Sequence, residues 1–455
     1  MLARVRDLRP YVKTALTIAG SDSGGGAGVE ADLKTFSAFG VHGLVAVTAV
    51  TAQNTNSIIA VHEVPPEVVV KQIEAVAEDI GVDAAKTGML SNAEIVRAVA
   101  RTLKRYDFPL VVDPVMVSKT GVTLLTEGAI GVLVDELFPR ATLVTPNRFE
   151  AEKLSGMTIR TLEDARRAAR AIAEETGAEG VIIKGGHIEG GDAVDVLYYQ
   201  GHFREYRAPR VEGCTHGTGC SFSAAITANL AKGLSLEEAI SLAKEFITLG
   251  IVTGHRIGHG HCPVNPIAWL EIPAEKWRVY EALKKAVREF ERMNPVALIP
   301  EVGANFVYAL PKPYARDKKD VAGVKGRIVR YGRSVKAVGP VEFGASDHLA
   351  RAVLRFMDFH PEVRSALNLR YSEGLVEKAE KVGLVVSFYD RREEPPEVKA
   401  REGATIPWGI ETAIRRAGRR PDLIYHLGDW GKEPMAIIFG ETPQDVLRKL
   451  SLLLK

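Results

Sequence analysis

The sequence predicts an α/β protein: a mostly parallel sheet covered by helices on both faces, followed by a second α/β domain. Three observations carry this. Short β-branched runs alternate with segments of helical period from residue 15 to about 254. The runs are predominantly apolar, as strands buried on both faces require. Two glycine-rich loops each lead a strand-like or turn segment into a helix-like one.

Taken in order, residues 15–19, 44–50, 84–87, 110–112, 142–145 and 180–184 read as buried strands. Between them 29–39, 66–79, 92–106 and 162–176 read as helices, several opening with Asn, Asp or Pro. In such sheets ligands gather at the carboxyl ends of the strands, where the first glycine loop, Asp113-Pro114 and Thr145-Pro146-Asn147 all fall. The stretch 255–273, rich in His, Gly and Pro, breaks the pattern, so the expected domains are 1–268 and 269–455. Beyond it Trp277, Tyr280, Leu283, Val287 and Phe290 form one apolar helical stripe. Strands are then expected at 296–299, 306–310, 326–331, 366–370, 384–389, 423–426 and 435–439, and helices at 348–357, 373–382, 406–416 and 443–454.

The chain has 455 residues, with 59 basic against 57 acidic for a net charge of +2. That balance gives no electrostatic case for nucleic acid or an anionic membrane, so small molecules are the expected partners. No run approaches the ~18 apolar residues of a membrane span, and 1–13 lacks the apolar core of a signal peptide. The three cysteines, Cys214, Cys220 and Cys262, form an odd and sparse set. This argues against a disulfide framework and for a reducing, cytoplasmic setting.

Chemistry concentrates in a few places. Gly217-Thr218-Gly219-Cys220 opens an apolar helical stretch, a ready anion site in which a thiol is expected to have a lowered pKa. The bland reading is a small, buried cysteine packed at a glycine turn. Asn147 and Glu150 follow a strand end and can hold Mg²⁺ through waters, with Asp113 joining them, although N-x-x-E is more often just a helix start. Lys184, before Gly185-Gly186-His187, can neutralise phosphate charge. Gln53 and Asp32 can project polar atoms into a pocket, though isolated residues of this kind are usually caps or solvated. His255, His259, His261 and Cys262 lack the paired spacing of a zinc site and read as a closing turn.

Together these pieces resemble the ribokinase-like superfamily and, within it, the hydroxymethylpyrimidine and hydroxymethylpyrimidine-phosphate kinases of thiamine biosynthesis. The resemblance is carried by Ala15-Leu16-Thr17-Ile18-Ala19-Gly20-Ser21-Asp22-Ser23-Gly24-Gly25-Gly26-Ala27-Gly28, Ala31-Asp32-Leu33-Lys34-Thr35-Phe36, Lys86-Thr87-Gly88-Met89, Val112-Asp113-Pro114-Val115-Met116, Lys184-Gly185-Gly186-His187 and Thr215-His216-Gly217-Thr218-Gly219-Cys220. It implies that Gly20, Ala27, Asp32, Gln53, Met89 and Val115 line a pyrimidine pocket. It implies Cys220 as the base, and Gly217, Thr218, Gly219, Asn147 and Lys184 on the ATP and anion side. Asp113 and Glu150 match the Mg²⁺ side, with ATP as co-substrate. Cys214 departs from the Asn common in relatives. Some superfamily members phosphorylate pyridoxal instead.

The second half resembles the archaeal-type thiamine-phosphate synthase domain that follows such kinases in fused chains. Glu301-Val302-Gly303-Ala304-Asn305, Gly323-Val324-Lys325-Gly326-Arg327-Ile328, Phe343-Gly344-Ala345-Ser346-Asp347-His348 and Thr405-Ile406-Pro407-Trp408-Gly409 carry it. Arg327 and His348 match the two positions regarded as needed for coupling hydroxymethylpyrimidine diphosphate to thiazole phosphate. A homo-oligomer is expected. Two readings compete: a second half that only senses thiamine phosphates, and a pyridoxal-type salvage kinase.

Overall fold

The computed structural model describes residues 12–117, 121, 123–187, 191–428 and 433–455, and the chain divides into two compact units, Met1–Leu270 and Glu271–Lys455. The first runs β1 (Thr14–Ala19), α1 (Gly28–Ala38), β2 (His42–Val47), β3 (Ala49–Gln53), β4 (Ile58–Glu63), α2 (Pro66–Asp79), β5 (Ala84–Thr87), α3 (Ala93–Leu103), β6 (Leu110–Val112), α4 (Glu127–Val132) and β7 (Leu143–Val144). It continues through α5 (Arg148–Ser155), α6 (Leu162–Thr176), β8 (Gly180–Ile183), β9 (Asp192–Tyr199), β10 (His202–Pro209), α7 (Thr218–Ala231) and α8 (Leu236–Val252). Its main sheet has the order β10-β9-β8-β7-β6-β5-β1-β2. Pairing is parallel from β2 through β8 and antiparallel at β8/β9 and β9/β10.

The apolar runs follow from burial on both faces. Successive strand residues point to opposite sides, so Leu110 and Val112 enter one core with α2, α3, α4 and α6 while Val111 enters the other with α1, α7 and α8. Likewise Val181 and Ile183 face the first core and Ile182 the second. Every parallel strand therefore ends on the same edge, and the loops after β1, β5, β6, β7 and β8 converge there.

The expected strand 44–50 is two strands. The chain breaks at Thr48, whose hydroxyl donates to the Met89 carbonyl at 2.6 Å, and β3 leaves the main sheet to pair with β4 as a hairpin. The cysteine expectation is also overturned, because Cys214 and Cys262 form a disulfide across 48 residues. The turn that reads as a domain end folds back along 214–216: the His216 N–H donates to the Cys262 carbonyl at 3.1 Å and the Val264 N–H to the His216 carbonyl at 3.0 Å. That pairing brings the two Cα atoms to 4.9 Å, within bridging range. The cysteine count thus no longer supports a reducing compartment.

Helix α9 (Ala268–Met293) contains the division between the units. In the second unit β11 (Phe306–Ala309), β12 (Val321–Val324), β13 (Ile328–Tyr331), β14 (Ser334–Ala337), β15 (Val341–Phe343), α10 (His348–Met357), β16 (Ser365–Arg370), α11 (Glu373–Lys381) and β17 (Val386–Phe388) follow. The chain ends with α12 (Pro396–Lys399), α13 (Thr405–Ala417), β18 (Leu423–His426), β19 (Met435–Gly440) and α14 (Pro443–Leu454). Seven strands order as β15-β12-β11-β16-β19-β18-β17, antiparallel except β17/β18, and β13 and β14 form a separate hairpin. Two expectations fail here. Trp277 is 65% exposed, and Val279 and Ala286 complete the buried α9 stripe with Leu283, Val287 and Phe290. Residues 296–299 are not a strand: Asn294 holds a φ of 52°, and the chain coils into a 3₁₀ turn, Val296–Leu298.

Phe356 of α10 stacks on Phe439 of β19 with ring centroids 4.3 Å apart, and neither ring is exposed to solvent. Replacing Phe356 by Ala is expected to cost about 3–5 kcal/mol of second-unit stability, read from urea unfolding of the full chain. A cost under about 1 kcal/mol would show that this stack is not a core contact.

Candidate active site

The two glycine loops of the first unit meet. The Asp22 carboxylate folds back under its own loop, accepting from the N–H groups of Gly24 at 2.8 Å, Gly26 at 3.1 Å and Ala27 at 2.9 Å. Its Oδ2 also lies 3.1 Å from His216 Nε2, on the loop that opens α7. Gly217 is held at φ 79° as the α7 N-cap, and a Cβ there would stand 1.8 Å from the Gly26 carbonyl oxygen. No other residue fits that approach. Ser23 adds a tie to the hairpin: its hydroxyl donates to the Gln53 carbonyl at 2.6 Å and accepts from the Gln53 N–H at 2.7 Å.

These loops wall a cavity of about 780 Å³ lined by Gly20, Ala27, Gln53, Met89, Asp113, Val115, Asn147, Glu150, Lys184, Gly217, Thr218, Gly219 and Cys220. Sequence reasoning singles out all of these. It misses Asp22, Lys86, His216 and His261, which line the same space. Asp32 is misplaced by it: the carboxylate lies behind the cavity wall, fully buried, with both oxygens 2.9 Å from Lys86 Nζ. The Thr17 hydroxyl donates to it as well, at 2.7 Å. Burial alone would lower the Lys86 pKa, yet Asp32, with Cys220 and Asp113, outweighs burial and holds the ammonium above its ordinary range.

At the neighbouring strand ends Lys184 Nζ donates to Asp113 Oδ1 at 3.1 Å, and a Cβ on Gly219 would lie 3.3 Å from that ammonium. Burial would lower Lys184, but Asp113 and Glu150 outweigh it and keep it charged. Asn147 and Glu150 form a capping box on α5: the Glu150 N–H donates to Asn147 Oδ1 at 3.0 Å and the Asn147 N–H to Glu150 Oε2 at 2.8 Å. The helix-start reading of N-x-x-E therefore holds, with the carboxylate still on the cavity wall. Burial pushes Glu150 above the usual carboxylate range, and Asp113 adds to the effect.

The expected lowering of the Cys220 pKa is not found. Burial pushes the thiol up to about 11, and Asp32 and Asp113 push the same way, while Lys86 and a hydrogen bond from the Gly28 N–H oppose them. The helix terminus does not offset loss of water around sulfur. Among the described residues no group of three or more His, Cys, Asp or Glu side chains is arranged to hold a metal ion, and no helix is long and apolar enough to cross a membrane.

In the second unit Arg327 follows β12 and His348 opens α10 after β15. β12 and β15 pair antiparallel, Val324 opposite Val341, so the two residues leave from opposite ends of that pair. The return through Ser346 crosses Gly323, where an added Cβ would lie 3.2 Å from the Ser346 Cβ. Arg327 has φ 80°, a left-handed conformation rare for a side chain of its kind. Its Nη1 donates to the Val302 carbonyl at 2.6 Å.

A phosphomethylpyrimidine kinase family model matches residues 22–265, and a thiamine-phosphate synthase ThiN model matches 282–451. The bifunctional thiamine biosynthesis protein ThiDN of Methanocaldococcus jannaschii is 34% identical over 441 residues, 97% of this chain and 98% of that one. The chain belongs to the phosphomethylpyrimidine kinase family, in the form fused to a ThiN domain. The thiamine biosynthesis bifunctional protein ThiED of Geobacter sulfurreducens is 49% identical over 256 residues, which cover 56% of this chain and only 52% of that protein. Among solved structures, an ADP complex of Bacillus subtilis pyridoxal kinase is 39% identical and covers 57% of this chain and 99% of that one, with a TM-score of 0.53. In this family member the motifs Gly20–Gly28 and Thr215–Cys220 are the two loops joined by Asp22 and His216.

Burial would raise the Asp22 pKa, but His216 and the Gly24 and Ala27 N–H groups outweigh it and hold the carboxyl below its usual range. A depressed folded-state pKa contributes stability above the unfolded value of about 4 and loses it as pH falls through the folded value. Asp22→Asn is therefore expected to lower the thermal midpoint at pH 7, with the gap to the parent closing as pH drops below about 4. A gap independent of pH would rule out an ionised Asp22 as the loop clamp.

Proposed function

We propose that the chain is a bifunctional enzyme of thiamine biosynthesis, kinase over 1–268 and synthase over 269–455. The kinase phosphorylates 4-amino-5-hydroxymethyl-2-methylpyrimidine with ATP and then converts the monophosphate to the diphosphate. The synthase couples the diphosphate to thiazole phosphate, giving thiamine phosphate and pyrophosphate. One observation carries the reading above the rest: Cys220, the Lys184–Asp113 pair and the glycine loop at the α7 N-terminus share one cavity.

Phosphoryl transfer to a neutral hydroxyl needs alignment, neutralised phosphate charge and a base within hydrogen-bond reach. Gly20, Ala27, Gln53, Met89 and Val115 orient the pyrimidine. The N–H groups of Thr218, Gly219 and Cys220 and the Lys184 ammonium face the migrating phosphate, with Asn147 on the nucleotide side. Cys220 sulfur receives the hydroxyl proton as the new O–P bond forms and ADP departs with the electrons of the old one. Asp113 and Glu150, which among the described residues belong to no group of three metal-ligating side chains, suit Mg²⁺ that enters with nucleotide and keeps most of its waters; bound there it would neutralise phosphate charge. In the second unit the Arg327 guanidinium is the group to meet the pyrophosphate, and His348 donates a hydrogen bond or proton to it. The left-handed backbone at Arg327 supports a functional role for it, since strain of this kind collects at active sites and ligand clamps alike.

The ATP and small-molecule substrates favour a cytoplasmic setting, and the net charge of +2 gives no claim on nucleic acid. Ile59 and Val61, two apart on β4, are 71% and 43% exposed, an apolar strip that supports a homo-oligomer. The likeness to a pyridoxal kinase favours one second reading, pyridoxal as an additional substrate.

The deciding assay supplies the full chain with Mg-ATP, hydroxymethylpyrimidine and thiazole phosphate and follows thiamine phosphate by mass, with pyridoxal in a parallel reaction. Cys220→Ala is expected to slow diphosphate formation by about 10²–10⁴-fold, and His348→Ala to accumulate the diphosphate. Diphosphate without thiamine phosphate in the parent would leave the second unit a sensor; pyridoxal turnover alone would make the first unit a salvage kinase. Arg327→Gly separates strain from function: glycine accepts the left-handed backbone, so stability is expected to hold or rise by about 1 kcal/mol. Coupling should still fall by about a hundredfold or more. An unstable Arg327→Gly with normal coupling would make Arg327 a structural residue.

A further inference from the structure

Lys86 belongs to no role assigned above. Its side chain and that of Asp32 have no solvent exposure, and burying two charges in a parallel sheet gains little stability over an apolar pair of the same volume. The fold alone thus gives no reason to place them there. Yet Lys86 lines the cavity with Cys220, and α7, which begins with Thr218 and carries Cys220, packs directly on β5. Gly88, the residue after β5, lines the cavity with Lys86, and a Cβ on it would lie 3.7 Å from the Lys86 ammonium, at ordinary contact distance.

We propose, on the kinase reading, that Lys86 is a positioning residue for phosphoryl transfer: its ammonium, fixed by Asp32, is the cation beside which the Cys220 sulfur carries negative charge before it takes the proton of the substrate hydroxyl. Asp32 then tempers Lys86 and does not touch the pyrimidine. The thiol proton leaves to solvent as the site is loaded. In the transfer itself the substrate O–H bond breaks toward sulfur, the oxygen bonds the γ-phosphorus, and the bridging oxygen departs on ADP with its electron pair.

Four charged groups act on the sulfur: Lys86 from β5, Asp32 from α1, Asp113 after β6 and Lys184 after β8. Lys184 is engaged with Asp113 and is the cation nearest an added Gly219 Cβ, which assigns it to the phosphate. Lys86 favours the thiolate while Asp32 disfavours it. The two members of one ion pair therefore affect Cys220 with opposite signs, although losing either one breaks the same salt bridge.

That opposition supplies the test. Cys214 and Cys262 are bridged, so Cys220 is the free thiol, and its alkylation by iodoacetamide across pH can be followed in the full chain. Lys86→Met is expected to slow alkylation at pH 8 by about tenfold and move the rise in rate to higher pH, and Asp32→Asn to speed it and move the rise to lower pH. The pH profile of kcat for hydroxymethylpyrimidine should move in the same two directions. Lys86→Arg should restore the parent profile. Because single variants can fail to fold, the neutral pair Lys86→Met with Asp32→Leu fills the same space and is expected to slow alkylation relative to the parent. Shifts of the same sign in both single variants, or none in the double variant, overturn the proposal and leave the kinase reading standing. A parent chain that phosphorylates no pyrimidine overturns the kinase reading and the proposal with it.

Discussion

The contact on which the first unit depends is the closure of one glycine loop on another. Gly217 passes so near the Gly26 carbonyl that any side chain there would collide with backbone, and Asp22 binds both loops at once through three N–H groups and His216. From that junction the α7 N-terminus takes its aim and Cys220 its position over β5. The sheet delivers the strand ends to a common edge. The loop junction turns that edge into an enclosed site.

Around the cavity the charges come in matched sets. Lys86 with Asp32 at 2.9 Å, Lys184 with Asp113 at 3.1 Å and Lys244 with Asp195 at 2.8 Å each join an ammonium to a carboxylate. They differ in how much water reaches the lysine: side-chain exposure is 0% for Lys86, 10% for Lys244 and 18% for Lys184. In the proposed transfer the most accessible ammonium is the one that can exchange a carboxylate for a phosphate oxygen at least desolvation cost, while the least accessible one keeps its partner and acts through its field. Burial in this way suits chemically similar pairs to different tasks.

Much of the first unit was legible because its physics is one-dimensional. Strands buried on both faces must be continuous apolar runs, and capped helices such as α2 and α6 show their ends in Pro66, Thr161 and Gly177. The β3–β4 hairpin was not legible, since β4 is mostly exposed and carries no burial pattern to read. The contacts that matter most at the site are long-range. Nothing near Cys214 announces Cys262, and nothing near Lys86 announces Asp32. Cys220 shows the same limit from the other side, because a helix terminus is visible in sequence but the desolvation that outweighs it is not. In the second unit the helical period locates α9 but not which edge of its stripe faces inward, so the stripe includes the exposed Trp277 and omits the buried Val279.

The disulfide has a topological meaning. By linking Cys214 to Cys262 it makes a covalent ring that contains both α7 and α8, and the exposed turn between them, at Lys232 and Gly233, lies on that ring. A backbone scission in this turn cuts the polypeptide without parting its pieces, since the bridge still spans the break. Helix α8 and the chain after it stay joined to the helix that carries Cys220.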